Sequence, residues 1–260
     1  GTILNATRGI GQNPFNPELD LLRAELHRAH RAWDTAHADL DRANTLSNQW
    51  HFLHLARARL FLDAEWYESA KVAADRFLAL EPSHTEALVT RARAEVKLGE
   101  RLAAARDYTH AIGSTATPTP ELDLERAQAW VAEGVPHLDE ALQGLEAGIA
   151  KLGPLVTLQL SAIEIEVQQN RVDAALARLD KVMAQYPRKE TWLARRGDLL
   201  RQAGRTQEAA EAWQAALQAL EALPPARRVV PAMADLEKRI RSSLAQLSQP
   251  ATPNADGRNP

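Results

Sequence analysis

The 260-residue sequence has no cysteine, few aromatic residues and no apolar run long enough to cross a bilayer. The absence of cysteine excludes disulfide frameworks, thiolate metal sites and a cysteine nucleophile. Aromatic residues make up 5% of the chain, and its net charge of −3 provides no basic field for nucleic acid or an anionic membrane. We therefore expect neither nucleic acid binding nor direct membrane insertion.

Sequence motifs of catalysis are also missing. The chain has no phosphate-binding loop and no nucleophile elbow, and Gly9-Ile10-Gly11 lacks the strand and the remaining glycine of a dinucleotide fingerprint. Glu164 and Glu166 lie two residues apart, so on a helix they point to different faces. A catalytic pair formed from distant segments stays open, but the sequence predicts a protein that is not an enzyme and has no cofactor.

Histidine is the residue that most invites a metal hypothesis. His27 and His30 lie three residues apart, as do His51 and His54, so each pair shares one helix face. Zinc requires three or four converging ligands, and nothing in the sequence brings the two pairs together. We predict packing roles for these rings and no metal site.

What the sequence does contain is a repeat of about 34 residues. Small residues recur at this spacing, interrupted once by Ile163, at Ala24, Ala58, Ala92, Ala127 and Gly197. Alanines follow each of these marks twelve or fourteen residues later. A period in this range with two helical faces per unit indicates a helical repeat array. With the small residue as position 8, six units begin near Pro17, His51, Thr85, Pro120, Val156 and Glu190.

Several positions of the unit have a mechanical reason. Small residues at positions 8, 20 and 27 let helices approach closely, and a bulky residue at position 24, such as Tyr108 or Trp213, fills the space between them. Position 15 requires a left-handed residue that ends the first helix. That position is occupied by Gly99, Gly134, Asn170 and Gly204. Two additional residues near Val135 and Pro136 predict a longer turn in the fourth unit.

The pattern resembles the tetratricopeptide repeat family over residues 17 to about 221, and the segments 66–70 and 77–82 are especially typical of it. The resemblance implies an all-α fold, a right-handed α-solenoid of stacked antiparallel helix pairs with a C-terminal capping helix. We expect residues 1–16 to be irregular, 17–224 to form six repeats, 225–248 to form the capping helix and 249–260 to be disordered. One departure is the arginine at position 7, where the family often has leucine.

The resemblance also implies a concave groove lined by positions 2, 5, 9, 12 and 13 of each first helix. The groove residues predicted in this way are Leu55, Arg59, Val89, Arg93, Lys97, Leu124, Gln128, Leu160, Glu164 and Asp198. The groove is expected to be basic in its first half and acidic in its second. The alternative is that the charged residues form a solvated face and the apolar ones pack within the array. Trp50 and Phe52 are a further candidate anchor for a partner.

We therefore expect a scaffold that binds a protein or peptide in its concave groove, as a monomer or weak dimer. The family resemblance suggests bacterial envelope assembly or secretion as a setting. Because the sequence opens on Gly1 and not on Met, we expect that a leader has been removed and that the protein is periplasmic or exported. The alternative is a cytoplasmic adaptor or regulatory domain, or a fragment of a larger multidomain enzyme.

Overall fold

A computed structural model describes residues 2–47 and 50–248 of the chain. These residues form fifteen α-helices and one 3-10 helix, and no strand occurs among them. In chain order the α-helices are α1 (Thr2–Gln12), α2 (Pro17–Ala29), α3 (Trp33–Leu46), α4 (Phe52–Asp63), α5 (Tyr67–Leu78), α6 (Thr85–Leu98), α7 (Arg101–Ser114), α8 (Pro120–Ala132), α9 (Leu138–Leu152), α10 (Val156–Gln168), α11 (Val172–Ala184), α12 (Glu190–Gln202), α13 (Thr206–Glu221), α14 (Pro225–Arg228) and α15 (Pro231–Ser248).

The chain divides into two compact units, Gly1–Gly153 and Pro154–Pro260. In the first unit, α2 packs on α3, α4 on α5, α6 on α7 and α8 on α9, and α1 packs on α2. In the second unit, α10 packs on α11, α12 on α13, and α15 packs on α13. The predicted all-α class of stacked helix pairs is therefore confirmed. No described helix combines the length and the apolar character that crossing a membrane requires.

The first helix of each pair begins within one residue of the start that the repeat period predicts. The second pair begins at Phe52, one residue after His51, and the other five starts coincide with the prediction. The longer turn predicted for the fourth pair is a 3-10 helix, Val135–His137, which precedes α9.

The left-handed residue at position 15 is also confirmed. Gly99, Gly134, Asn170 and Gly204 have φ angles of 83°, 100°, 58° and 76°. The first two pairs place Arg31 and Glu65 at the same position, with φ angles of 59° and 64°. These two were not predicted, because an arginine or a glutamate is not a residue that favours this region.

Four of the five arginines at position 7 form ion pairs with aspartates sixteen residues away along the chain, and Arg126 pairs instead with Asp123 in its own helix. Arg91 pairs in both directions: it donates to Asp107 at 2.5 and 2.7 Å and to Asp75 at 2.8 Å. Because Asp107 belongs to the same helix pair and Asp75 to the preceding one, Arg91 connects two pairs. The same spacing joins Arg23 to Asp39, Arg57 to Asp41 and Arg196 to Asp180. At these four positions an arginine in an ion pair thus stands where the family often has leucine.

The expectation of an irregular segment over residues 1–16 is wrong, because residues 2–12 form helix α1. Ala6 and Ile10 lie one turn apart on the face that packs against α2, and they are 4% and 6% exposed. Gly9 also faces Leu19 of α2, where a Cβ would meet the leucine methyl groups at an ordinary contact distance of 3.5 Å. Burial of this face outweighs the low helix propensity of glycine.

The C-terminal segment forms two helices. α14 has four residues, and α15 carries Leu236 and Ile240, which lie in one hydrophobic cluster with Trp213 of α13. The predicted disordered tail, residues 249–260, lies outside the described residues.

Candidate peptide-binding cleft

A cleft of about 710 Å³ opens on the first unit, at the C-terminal ends of α4, α6 and α8. Each of these helices is the first of its pair, and position 15 turns the chain back directly after it. Their C-terminal ends therefore lie together. The cleft is lined by Leu62, Asp63, Glu65, Tyr67, Arg93, Val96, Lys97, Arg101, Tyr108, Glu125, Gln128, Ala129 and Ala132.

Three of the predicted groove residues, Arg93, Lys97 and Gln128, line this cleft. Leu55 and Val89 do not, since they are 4% and 9% exposed within a hydrophobic cluster. Leu124 is half-buried in α8. For the two buried residues, the alternative of packing within the array describes the structure better than exposure in a groove.

One wall of the cleft is a network of hydrogen bonds centred on Glu125. Arg93 donates to both of its carboxylate oxygens, at 3.0 and 2.8 Å, and the Tyr108 hydroxyl donates to one of them at 2.6 Å. Burial and then the contact with Glu125 raise the pKa of Tyr108. Burial acts to raise the pKa of Glu125 as well, but the hydrogen bonds from Arg93 and Tyr108 lower it overall. The three groups are therefore held in fixed charge states.

Arg59, the other arginine of the predicted basic half, is matched by acids in the same way. It donates to Glu86 at 2.5 and 2.6 Å and approaches Glu25 at 3.4 Å. Lys97 differs from both arginines, because it is exposed and no carboxylate of residues 2–47 or 50–248 forms an ion pair with it. The unmatched positive charge of the predicted basic half is therefore at Lys97.

The remaining predicted groove residues belong to the second unit. Leu160 packs against its hydrophobic core. Glu164 accepts from Arg195 at 3.2 Å, and Asp198 accepts from Arg239 at 2.7 Å and from Trp213 Nε1 at 3.1 Å. Each of the two predicted acidic positions thus has a basic partner within its own unit.

Sequence reasoning missed most of the cleft lining from the second helix pair. Leu62 and Asp63 occupy positions 12 and 13, which the family resemblance already assigns to the groove, so the same rule could have found them. Tyr67 stands at position 17, a packing position, and Glu65 stands at position 15. No sequence signal identified these two as lining residues.

The other candidate features have packing roles in the structure. Trp50 packs on a cluster with Leu53, and Phe52, 43% exposed, lies beside the His51 ring with centroids 4.3 Å apart. Within the described residues, no group of three histidines and carboxylates is placed to hold a metal ion.

Comparison with known proteins identifies the class of this fold. Residues 122–236 match the family model described as tetratricopeptide repeat-like domain. Over 90% of this chain and 92% of that chain, the structure is similar to the C-terminal part of a tetratricopeptide repeat-containing protein from Cytophaga hutchinsonii, at a TM-score of 0.69 and 12% identity. No curated protein matches the sequence.

Two further solved structures share the fold. One is YrrB, described as a tetratricopeptide repeat protein with an unusual peptide-binding site, at a TM-score of 0.58 and 20% identity over 72% of this chain and 95% of that one. The other is PilW, described as a type IV pilus biogenesis factor, at a TM-score of 0.54 and 12% identity over 85% of this chain and 97% of that one. The predicted resemblance to tetratricopeptide repeats is confirmed.

Proposed function

We propose that the chain binds a peptide, or an extended segment of a protein, in the cleft of its first unit and carries out no chemistry of its own. The observation that carries this proposal is the lining of the cleft, in which apolar side chains and a few charged groups open together to solvent. A volume of about 710 Å³ lies within the usual range of ligand sites, about 300–1,000 Å³.

The lining provides both parts of a recognition site. Leu62, Val96 and Ala129, with the rings of Tyr67 and Tyr108, provide apolar surface for a side chain of the partner. Lys97 and Glu65 provide charge at the edge. Apolar surface supplies affinity, and placed polar groups select among partners.

The wall formed by Arg93, Glu125 and Tyr108 supports binding, because its side chains are already ordered before a partner arrives. A preformed wall avoids the conformational entropy that free side chains would lose on binding. Proton-transfer catalysis is disfavoured at the same place, since a general acid or base needs a pKa near the working pH. The pKa of Tyr108 is raised and that of Glu125 is lowered, so both move away from neutrality.

The proposal is tested by selecting peptides from a random seven-residue library displayed on phage. Ala132 is exposed and lines the cleft, so Ala132→Trp fills the cleft without disturbing the core. Ala147→Trp, at an exposed position of α9 outside the cleft lining, is the matched control. We expect a selected peptide to bind at least about tenfold more weakly to Ala132→Trp, a loss of about 1.4 kcal/mol, and equally well to the control. Absence of any enriched peptide, or equal binding by both variants, would overturn the proposal.

We propose the bacterial envelope as the setting of this binding, with the protein periplasmic or exported and acting as a monomer or weak dimer. The alternative is a cytoplasmic adaptor, or a regulatory part of a larger multidomain enzyme. PilW, one protein with a similar fold, is described as a type IV pilus biogenesis factor, which supports this setting. Cell fractionation of the native host decides between the two settings, since recovery in the cytosol alone contradicts the first.

A further inference from the structure

We infer that the cleft selects a peptide in which one apolar side chain stands between an acidic residue, which contacts Lys97, and a basic residue, which contacts Glu65. This inference rests on the proposed function, because it concerns the same cleft. It adds the chemistry and the direction of the bound segment.

Some charged residues that line the cleft already form ion pairs within the protein, and others do not. Asp63 is paired with Arg28, and Arg93 is paired with Glu125. Arg101 lies 3.9 Å from Glu133, at the limit of an ion pair. Lys97 and Glu65 have no ion pair or side-chain hydrogen bond with any residue that the structure describes. These two charges are therefore available to a partner.

The two free charges, Lys97 and Glu65, belong to different helix pairs. Lys97 lies in the last turn of α6, in the third helix pair, and Arg101 follows at the start of α7 and lines the same cleft. Glu65 lies in the turn between α4 and α5, in the second pair. The third pair thus offers positive charge to the cleft and the second pair offers negative charge. A peptide with an acidic residue on one side and a basic residue on the other is therefore attracted when its acidic residue faces the third pair, and it is repelled when it binds in the reverse direction.

The backbone of Glu65 has a conformation that is unusual for glutamate. Its φ of 64° lies in the left-handed region, which costs energy for a residue with a Cβ, and later pairs place glycine or asparagine there. Arg31 has the same conformation in the first pair, but its guanidinium lies 5.9 Å from the Trp33 ring centroid. This conformation ends the first helix of each pair, and at Glu65 it occurs in a residue whose side chain is exposed and lines the cleft.

The cleft that contains the two charges also has apolar lining residues. Leu62 and Val96 are half-buried and Ala129 is buried, so each presents carbon atoms and no unmatched polar group. A polar side chain placed there would lose its water without gaining a hydrogen bond, whereas an apolar side chain gains by burial. The central residue of the selected segment is therefore apolar.

The test repeats the phage selection with charge-reversed variants. We expect the unmodified protein to enrich peptides with an acidic and a basic residue on opposite sides of an apolar one. Lys97→Glu is expected to replace the acidic residue of the motif with lysine or arginine. Glu65→Lys is expected to replace the basic one with aspartate or glutamate. A synthetic peptide of the original motif is expected to bind Lys97→Glu about tenfold more weakly, by fluorescence anisotropy, and the charge-exchanged peptide to recover that loss.

Lys181→Glu is the matched control, because Lys181 is also an exposed lysine in the last turn of its helix, α11, and it does not line the cleft. It changes the charge and the interaction with the helix dipole by the same amount. Its selected motif should equal that of the unmodified protein. Circular dichroism verifies that each variant folds, and Lys97→Met, which should lose the acidic preference, replaces Lys97→Glu if that variant does not.

The outcomes separate the two proposals. If no peptide is enriched, or if Ala132→Trp leaves binding unchanged, the proposed function itself is wrong. If Ala132→Trp blocks binding but the motif keeps the same charges with Lys97→Glu and Glu65→Lys, the cleft binds peptides and the inferred selectivity is wrong.

Discussion

The third helix pair, α6/α7, and the sixth, α12/α13, bury an aromatic residue at the same position, and in both its polar end contacts a carboxylate that an arginine also holds, but different elements supply the two charged residues. Tyr108 and Trp213 both stand at position 24 and are 2% and 0% exposed. Tyr108 donates to Glu125, which Arg93 also holds. Trp213 donates to Asp198, which Arg239 also holds.

The difference lies in which element supplies the acid. At position 9 the third pair has Arg93 and takes its acid, Glu125, from α8. The sixth pair has the acid, Asp198, and takes its arginine, Arg239, from α15. The repeat geometry therefore fixes where the polar end of the aromatic residue lies, whereas the signs of the two charges can be exchanged between a pair and the element that follows it.

The residue at position 8 also differs between the two pairs, and its size changes together with that of the aromatic residue. In the third pair Ala92 is fully buried beside the smaller tyrosine ring. In the sixth pair a Cβ on Gly197 would overlap Cδ1 and Nε1 of the Trp213 indole. The two positions thus form a matched set, in which a larger ring requires a smaller helix neighbour.

The largest expected effect comes from breaking that match with Gly197→Ala. The rigid indole cannot give way as a flexible chain would, so we expect the free energy of unfolding to fall by about 2–3 kcal/mol, despite the better helix propensity of alanine. Urea unfolding followed by circular dichroism measures this loss.

The control gives the sixth pair the same aromatic residue as the third. In the background of Trp213→Tyr, the same Gly197→Ala change should cost less than about 1 kcal/mol, since the smaller ring leaves room for a Cβ. Equal costs in the two backgrounds would show that the positions are independent and would contradict the matched set.

Position 11 distinguishes the two pairs in a second way. The sixth pair has the buried Leu200, whereas the third has Glu95, which is 4% exposed and has one carboxylate oxygen, Oε2, without a hydrogen bond. Burial, followed by the nearby charge of Asp107, raises the pKa of Glu95 to about 7, against opposing contributions from Arg91 and Lys71.

A pH titration of stability sharpens this difference. Because the folded state binds the Glu95 proton more tightly than the unfolded chain, the contribution of Glu95 to stability is fully present below pH 4.5 and is lost as the pH rises through about 7. Relative to Glu95→Gln, which does not titrate, we expect the unmodified protein to lose up to about 3 kcal/mol between pH 4.5 and 8.

The measurement is the unfolding free energy of both proteins at several pH values in this range. Other groups titrate in both proteins, so the difference between the two isolates Glu95. A difference that does not change with pH would mean that Glu95 keeps its ordinary pKa in the folded protein.

The sequence was sufficient to predict the fold, because the relevant signals are local and repeated. Small residues at positions 8 and 20 and a left-handed residue at position 15 repeat often enough that the exceptions, such as Ile163, do not obscure the period. Helix α1 was missed because it occurs once. Two glycines lower its helix propensity, and only the apolar face that it buries against α2 compensates.

The candidate cleft was predicted only in part, for a different reason. The repeat assigns which positions face the groove, and Arg93, Lys97 and Gln128 follow from that rule. It does not say which charges are already matched, because the partner of Arg93 lies 32 residues away and that of Arg59 lies 27 away. Lys97 and Glu65 become distinct from the other charged residues only when every ion pair is known.

The smallest expected effects concern the polar ends of the two aromatic residues. Tyr108→Phe removes the hydroxyl that donates to Glu125 at 2.6 Å but leaves the ring and the Arg93 contact in place. A hydrogen bond to a partly buried carboxylate is lost without a new cavity, so we expect the unfolding free energy to fall by about 1–2 kcal/mol.

The corresponding change in the sixth pair is Arg239→Met, which removes the other holder of the acid. Arg239 and Asp198 are 49% and 40% exposed at their side chains, so water replaces much of what the ion pair provides. The expected cost is therefore smaller, below about 1 kcal/mol, and it should decrease further in high salt, whereas the cost of Tyr108→Phe should not. If Arg239→Met proved the more costly of the two, the exposed ion pair would contribute more to stability than the buried hydrogen bond, against this expectation.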